Sequence, residues 1–136
     1  MSYEVAWEFD HGPSIEHSAE WAWAWIGFLG VSKALDAGTT AVGLLFVPGL
    51  VEANPFPASV FGSIGVGTGL LMLSVLTVVV VTLVTEAGAR YLQGHDEAAA
   101  WAPTATRLVG YAPLSIVFLA ASLHNAGLIL RVLLVG

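Results

Sequence analysis

The chain has 136 residues, of which 57% are hydrophobic and 10% are charged, and it contains no cysteine. An average soluble domain carries about 25% charged residues, so this composition, with a mean hydropathy of +0.81, predicts one integral membrane domain and excludes disulfides and thiolate chemistry. Ten acids against four bases give a net charge of −6, and the lack of a basic patch excludes a nucleic-acid partner.

Residues 1–19 are polar and predict an arm outside the membrane. The first twenty residues hold five acids and neither lysine nor arginine, so they lack the basic region of a secretory signal and we expect them to be retained. Trp21, Trp23 and Trp25 follow. Indole rings prefer the headgroup level, so these side chains predict an interface anchor; stacking on a ligand such as a carotenoid or quinone is the alternative.

The first apolar segment, about residues 21–46, is long enough to cross a bilayer, which takes about 20 residues. It ends where Pro48 removes a backbone donor. Lys33 and Asp36 lie in its middle, three positions apart, which is close enough to pair along a helix. Charged side chains at that depth are costly, so we expect them to be satisfied by each other or by neighbouring helices.

The second predicted helix spans about residues 58–85. Its first half is rich in glycine, and Gly62, Gly65 and Gly69 predict a seam for close helix packing, within the chain or between copies. The valine-rich run at residues 76–84 would suggest a strand in a soluble protein. A lone strand in lipid leaves its backbone groups unpaired, so a helix is predicted.

Residues 86–105 are predicted as the second loop because they hold four charged residues outside the apolar segments, Glu86, Arg90, Asp96 and Glu97. The third helix is predicted over about residues 106–134. Three spans place the N-terminus and the second loop on one side of the membrane. Arg90 and Arg107 flank that loop, so the positive-inside rule favours a cytoplasmic N-terminus.

Polar side chains on the three predicted helices fall at one depth. A rise of about 1.5 Å per residue places Asp36, Thr68 and the pair at 124–125 in one layer about 15 Å from the same membrane face. The predicted intramembrane polar cluster comprises Lys33, Asp36, Thr39, Thr40, Thr68, His124 and Asn125. Two interpretations stay open: the cluster is structural and fixes helix packing through its polar contacts, or it is an ion, proton or ligand site.

The loop after the first helix carries an acid and a turn. Asn54 precedes Pro55, which restricts it to extended backbone, and Glu52 lies two residues earlier. Arg131, near the end of the third helix, falls at the same membrane face as this loop. We therefore predict an ion pair or a near-pair between Glu52 and Arg131.

A spaced signature joins the first helix to this loop: Asp36, Thr39 and Thr40, then Glu52, Asn54 and Pro55. It resembles the first hairpin of a family of small prokaryotic membrane proteins that is catalogued as a domain of unknown function. The resemblance covers about residues 30–84, implies that the signature residues form one structural or binding unit, and implies no activity. The acid-rich, lysine-poor composition is also similar to that of proteins from extremely halophilic archaea.

The sequence thus predicts an all-α membrane protein, with a polar arm at 1–19 and three transmembrane helices within 20–136. The predicted function is non-enzymatic: a small membrane subunit or scaffold, surrounded by lipid, that packs in a homo-oligomer or a larger complex. One alternative is a transporter or channel protomer that uses Lys33, Asp36 and His124 as a proton or cation relay. Another is a lipid or pigment binder, for example of a carotenoid; no catalytic residue, metal or other cofactor is predicted.

Overall fold

The computed structural model describes residues 15–135, and this part of the chain forms helices joined by turns. The helices are α1 (Ile15–Phe46), α2 (Pro55–Ile64), α3 (Val66–Gln93) and α4 (Ala102–Val135). The prediction of an all-helical chain is therefore confirmed. Of the predicted arm, residues 1–14 lie outside the described residues, and α1 already begins at Ile15.

Two helices, α3 and α4, are long and apolar enough to cross a membrane. With 32 residues, α1 has the length of a span, but it carries Lys33 and Asp36 in its middle. The 10 residues of α2 extend for about 15 Å, which is half the roughly 30 Å of the hydrocarbon layer. For that reason α2 cannot cross a bilayer by itself.

The predicted continuous helix over 58–85 is wrong, because the chain breaks at Gly65. This residue has φ +84° and ψ 155°, a combination that is essentially restricted to glycine. Its N–H donates to the Phe61 carbonyl at 2.9 Å, and its carbonyl accepts from the Gly69 N–H at 2.9 Å. The last turn of α2 and the first turn of α3 are therefore both hydrogen-bonded through Gly65. Phe61 packs against Gly69, where a Cβ would lie 2.6 Å from the ring. Thus α2 folds back on α3, its only helical neighbour within the described residues.

Contacts between side chains fix the directions of the long helices. Helices α1 and α4 are parallel, as three contacts along them show: Lys33 with Phe118, Thr40 with Asn125, and Gly43 with Ile129. Helices α3 and α4 form an antiparallel hairpin through residues 94–101, which we call the turn end of the bundle. The opposite end, with residues 47–54 and α2, is called the α2 end.

The outer faces of the bundle are apolar, and its interior combines polar side chains with a few apolar ones such as Leu29 and Phe61. Its buried polar side chains are Ser32, Thr85, Arg107, Ser115 and Ser122. Large apolar side chains cover the outer faces of the helices; Phe46 is 76% exposed and Leu83 is 65% exposed. Soluble proteins bury such residues preferentially. The reversed distribution is typical of a chain whose outer solvent is lipid, where packed interiors use small and polar residues.

Candidate functional site

A cavity of about 480 Å³ opens at the α2 end, between α1, α3, α4 and residues 50–54. Its walls include apolar side chains from every helix, Phe61 of α2 among them. Nine polar residues also line it: Lys33, Asp36, Thr39, Thr40, Glu52, Asn54, Ser74, His124 and Asn125. The structure therefore places most of the predicted polar cluster around one space. Glu52 and Asn54, which with Pro55 we call the loop signature, line the same space.

Lys33 and Asp36 form an ion pair on α1. The Lys33 Nζ lies 2.7 Å from Asp36 Oδ2, and the two side chains are only 14% and 15% exposed. The same ammonium group lies 4.6 Å from the centroid of the Phe118 ring on α4, within the range of a cation–π contact. The lysine thus has a partner on its own helix and another on α4.

A hydrogen bond joins α1 to α4 in the same layer. The Asn125 Nδ2 donates to Thr40 Oγ1 at 2.9 Å across 85 residues of sequence. The neighbouring Thr39 hydroxyl instead donates within α1, to the carbonyls of Leu35 and Asp36 at 3.0 and 3.1 Å. Of the two adjacent threonines, only Thr40 therefore bonds another helix.

The loop signature is a local turn that starts α2. The Asn54 N–H donates to Glu52 Oε1 at 2.8 Å, and Asn54 Oδ1 accepts from the Phe56 N–H at 3.1 Å. Asn54 is the N-cap, with extended backbone at φ −82° and ψ 120°, and Pro55 occupies the first turn, where its missing N–H costs nothing. These bonds explain the order of residues in the signature without a ligand.

The predicted ion pair between Glu52 and Arg131 is wrong. Within residues 20–135, the part of the chain whose side chains the structure describes, the ion pairs are those of Lys33 with Asp36 and of Arg107 with Glu86. The Glu52 carboxylate turns to its own loop backbone instead, and Arg131 is exposed on α4.

Thr68 does not join the polar layer. The break at Gly65 starts α3 eight residues later than the predicted helix, so Thr68 lies in the first turn of α3 and is exposed. Ser74, about two turns further along α3, takes its place in the cavity wall. Its Oγ is buried and has no hydrogen-bond partner in the described part of the chain.

The predicted glycine seam is also divided by the break. Gly65 forms the break itself, and Gly69 is covered by Phe61 of the same chain. Gly62 is exposed, and a Cβ there would have open space around it. The three glycines therefore do not form one helical stripe.

A second polar cluster, at the turn end, is absent from the sequence prediction. The Arg107 guanidinium donates three hydrogen bonds of 2.9–3.2 Å to the Glu86 carboxylate. The Tyr111 hydroxyl adds a fourth at 3.1 Å. Arg107 is 7% exposed and Tyr111 is fully buried, so Glu86 lies in a packed helix interface and not in a loop. One signal was available: Glu86 lies eight residues before the turn at 94–101 and Arg107 six residues after it, so an antiparallel hairpin brings the two side chains to a similar depth.

No metal centre is formed by the described residues, among which no three His, Asp or Glu side chains come together in a suitable group. Trp21 and Trp23 are 62% and 73% exposed and lie outside the cavity wall. Comparison of the chain with protein families, with curated proteins and with solved structures gives no significant match. The resemblance carried by the loop signature therefore stays a prediction.

Proposed function

We propose that this chain is an integral membrane protein with three spanning helices, α1, α3 and α4, and a short helix α2 that does not cross. The third span is supported by the outer face of α1, where Val31 and Leu35 are 61% and 48% exposed. It is also supported by the pairing of Lys33 with Asp36, which offsets the main cost of placing α1 in lipid.

The natural lack of cysteine makes this topology directly testable. Single variants Glu20→Cys, Ala53→Cys and Glu97→Cys are labelled in sealed vesicles with a thiol reagent that cannot cross membranes. Three spans place positions 20 and 97 on one side, cytoplasmic by the positive-inside rule, and position 53 on the other. Labelling of positions 20 and 53 from the same side would show that α1 does not cross.

The proposed role is non-enzymatic: a small membrane subunit or scaffold that packs against other helices, its own copies or a larger complex. The observation that carries it is that Lys33 and Asp36, and likewise Glu86 and Arg107, neutralise each other inside the bundle. The Glu86–Arg107 pair joins α3 to α4, and Lys33 contacts Phe118 of α4, while the outer faces of the helices stay apolar and available to lipid or protein.

The test of this role is the native mass of the protein extracted in mild detergent or in polymer-bounded lipid discs. A scaffold or subunit is expected as a defined oligomer, or with stoichiometric partner bands. A monomer at every detergent concentration, with no companion after cross-linking in the membrane, contradicts the proposal.

A second role, a proton or cation relay, is favoured by the cavity, because His124 shares its wall with the Lys33–Asp36 ion pair. The variant Asp36→Asn separates the two roles. A relay predicts normal folding and loss of flux in proteoliposomes, whereas a structural pair predicts a lower unfolding midpoint and no flux in the parent protein. Glu97→Gln, at the turn end, is the matched control.

A further inference from the structure

An apolar groove lies at the turn end, between the last turns of α3 and the first turns of α4. It has a volume of about 580 Å³ and opens to the outside of the bundle. Its wall includes Val84, Gly88 and Leu92 of α3 and Trp101, Ala105 and Val109 of α4. Ala105 and Val109 lie on the opposite side of α4 from the buried Arg107 and Tyr111, so the groove is separate from the polar cluster at this end.

Most of this groove lies outside the hydrocarbon layer in the membrane placement proposed above. From Val66 to Glu86, α3 rises about 30 Å, which is the thickness of that layer. Gly88 and Leu92 follow Glu86, and Trp101, which is 70% exposed, lies beyond Arg107 on α4. Acyl chains do not cover the groove at that height. An apolar surface left open there is typical of an interaction site.

The N-terminal part of the chain enters the bundle at the same end. Helices α1 and α4 are parallel with an offset of 85 residues, as the bond between Thr40 and Asn125 shows. This register places Ile15, the first residue of α1, level with residue 100. Ala22 is 8% exposed, so α1 is still packed near its start. Residues 1–14 are therefore joined to the bundle beside the mouth of the groove.

The sequence of this part of the chain matches an apolar groove beside water. Apolar or aromatic residues alternate with mostly acidic ones: Tyr3, Val5, Trp7 and Phe9 with Glu4, Ala6, Glu8 and Asp10. On an extended chain the two sets fall on opposite sides. Arg90, exposed in the last turn of α3, takes part in no ion pair within residues 20–135 and offers the acids an opposite charge.

The lengths also agree. From Trp101 to Gly110 the groove follows α4 for about 14 Å, at 1.5 Å per residue. An extended chain from residue 5 to residue 9 covers about 13 Å, at 3.3 Å per residue. Residues 10–14 reach about 17 Å when extended, which is enough to pass one helix with a diameter of about 10–12 Å.

We propose that this groove is the docking site of residues 3–9 of the same chain, with Val5, Trp7 and Phe9 against its wall. The inference rests on the membrane placement proposed above, which leaves the groove uncovered by lipid. Docking ties the chain before α1 to the hairpin of α3 and α4. It also closes the groove to a helix of another protein until residues 3–9 leave it.

The test uses pairs of cysteines in the full chain, which has none of its own. Ala105→Cys is combined with one of two sets: Val5→Cys, Trp7→Cys or Phe9→Cys, and Glu4→Cys, Ala6→Cys or Glu8→Cys. Disulfides are formed by mild oxidation in native membranes and identified by mass spectrometry of the cleaved chain. The first set is expected to cross-link to position 105, and the second set is expected to lose most of that yield.

Ala87→Cys is the matched control for Ala105→Cys. Ala87 is exposed at a similar depth on α3 but lies outside the groove wall, so it is expected to form no cross-link with either set. Replacing Trp7 and Phe9 by serine is expected to abolish the cross-link between Val5→Cys and Ala105→Cys, because the apolar contacts that hold the docked residues are lost.

Three results overturn the proposal: no cross-link at position 105, equal yields from the two sets, or equal yields at positions 87 and 105. Co-expression of isotopically light and heavy chains adds a fourth. Disulfides that join a light chain to a heavy one would assign the groove to a second copy. The thiol-labelling pattern is measured separately, so a protein with three spans and no cross-link would disprove this inference and leave the proposed function intact.

Discussion

Replacing Arg107 with methionine is expected to be the most destabilising single change at the turn end. The substitution removes three hydrogen bonds of 2.9–3.2 Å from the Glu86 carboxylate. It leaves that carboxylate, 13% exposed, against α4 with the Tyr111 hydroxyl as its remaining partner. Breaking a buried pair by removing one member typically costs about 3–5 kcal/mol, because a charge stays buried without compensation. The free energy of unfolding is measured by far-UV circular dichroism during SDS titration of mixed micelles.

Three further variants test the reasoning behind the expected loss of about 3–5 kcal/mol in Arg107→Met. Arg90→Met removes a base from the exposed last turn of α3 and is expected to change stability by less than about 0.5 kcal/mol. The double variant Glu86→Gln with Arg107→Met removes both charges and is expected to recover most of the loss. Tyr111→Phe removes one hydrogen bond to the charged Glu86 carboxylate and is expected to lower the free energy of unfolding by about 1.5–3 kcal/mol. If Arg107→Met unfolds like Arg90→Met, the pair does not stabilise the hairpin and the reasoning is wrong.

Four other substitutions probe helix packing and the break at Gly65, each by the same unfolding titration. Gly110→Ala places a Cβ 2.7 Å from Thr85 Cγ2 and is expected to cost about 1–3 kcal/mol from overpacking. Gly127→Ala on the same helix has open space and is expected to be neutral or stabilising; equal effects would refute the close approach of α3 and α4. Asn125→Ala removes the bond to Thr40 and is expected to cost about 0.6 kcal/mol, the average for such bonds in a membrane bundle. Gly65→Ala is expected to cost about 1–3 kcal/mol from backbone strain, and an unchanged protein would argue against the break.

The sequence predicts well those features that depend on spacing along one helix. Lys33 and Asp36 are three residues apart, and any α-helix brings such a pair within reach. Helix length then gives depth, which is why Asp36 and Asn125 were expected in one layer and do line one cavity. Depth does not depend on knowing how the helices turn against one another.

Features that depend on a single backbone conformation were not predictable in the same way. Glycine is common in membrane helices, so Gly65 looks like any other glycine until its positive φ is known. The resulting shift of register moved Thr68 out of the layer and brought Ser74 in. The charge of Glu86 suggested a loop for a related reason: a pattern of polarity cannot distinguish a solvated acid from one whose base lies on the next helix.

The two ends of the bundle differ in how firmly they are closed. At the turn end, a forked guanidinium–carboxylate contact and a tyrosine hydroxyl lock α3 to α4. At the other, α1 and α4 share the Thr40–Asn125 bond beside open space. The α2 end therefore has fewer polar bonds between helices than the turn end, so we expect thermal motion to separate the helices more where α2 lies. In the membrane placement proposed above, a thicker or thinner bilayer is then expected to change the width of that opening first.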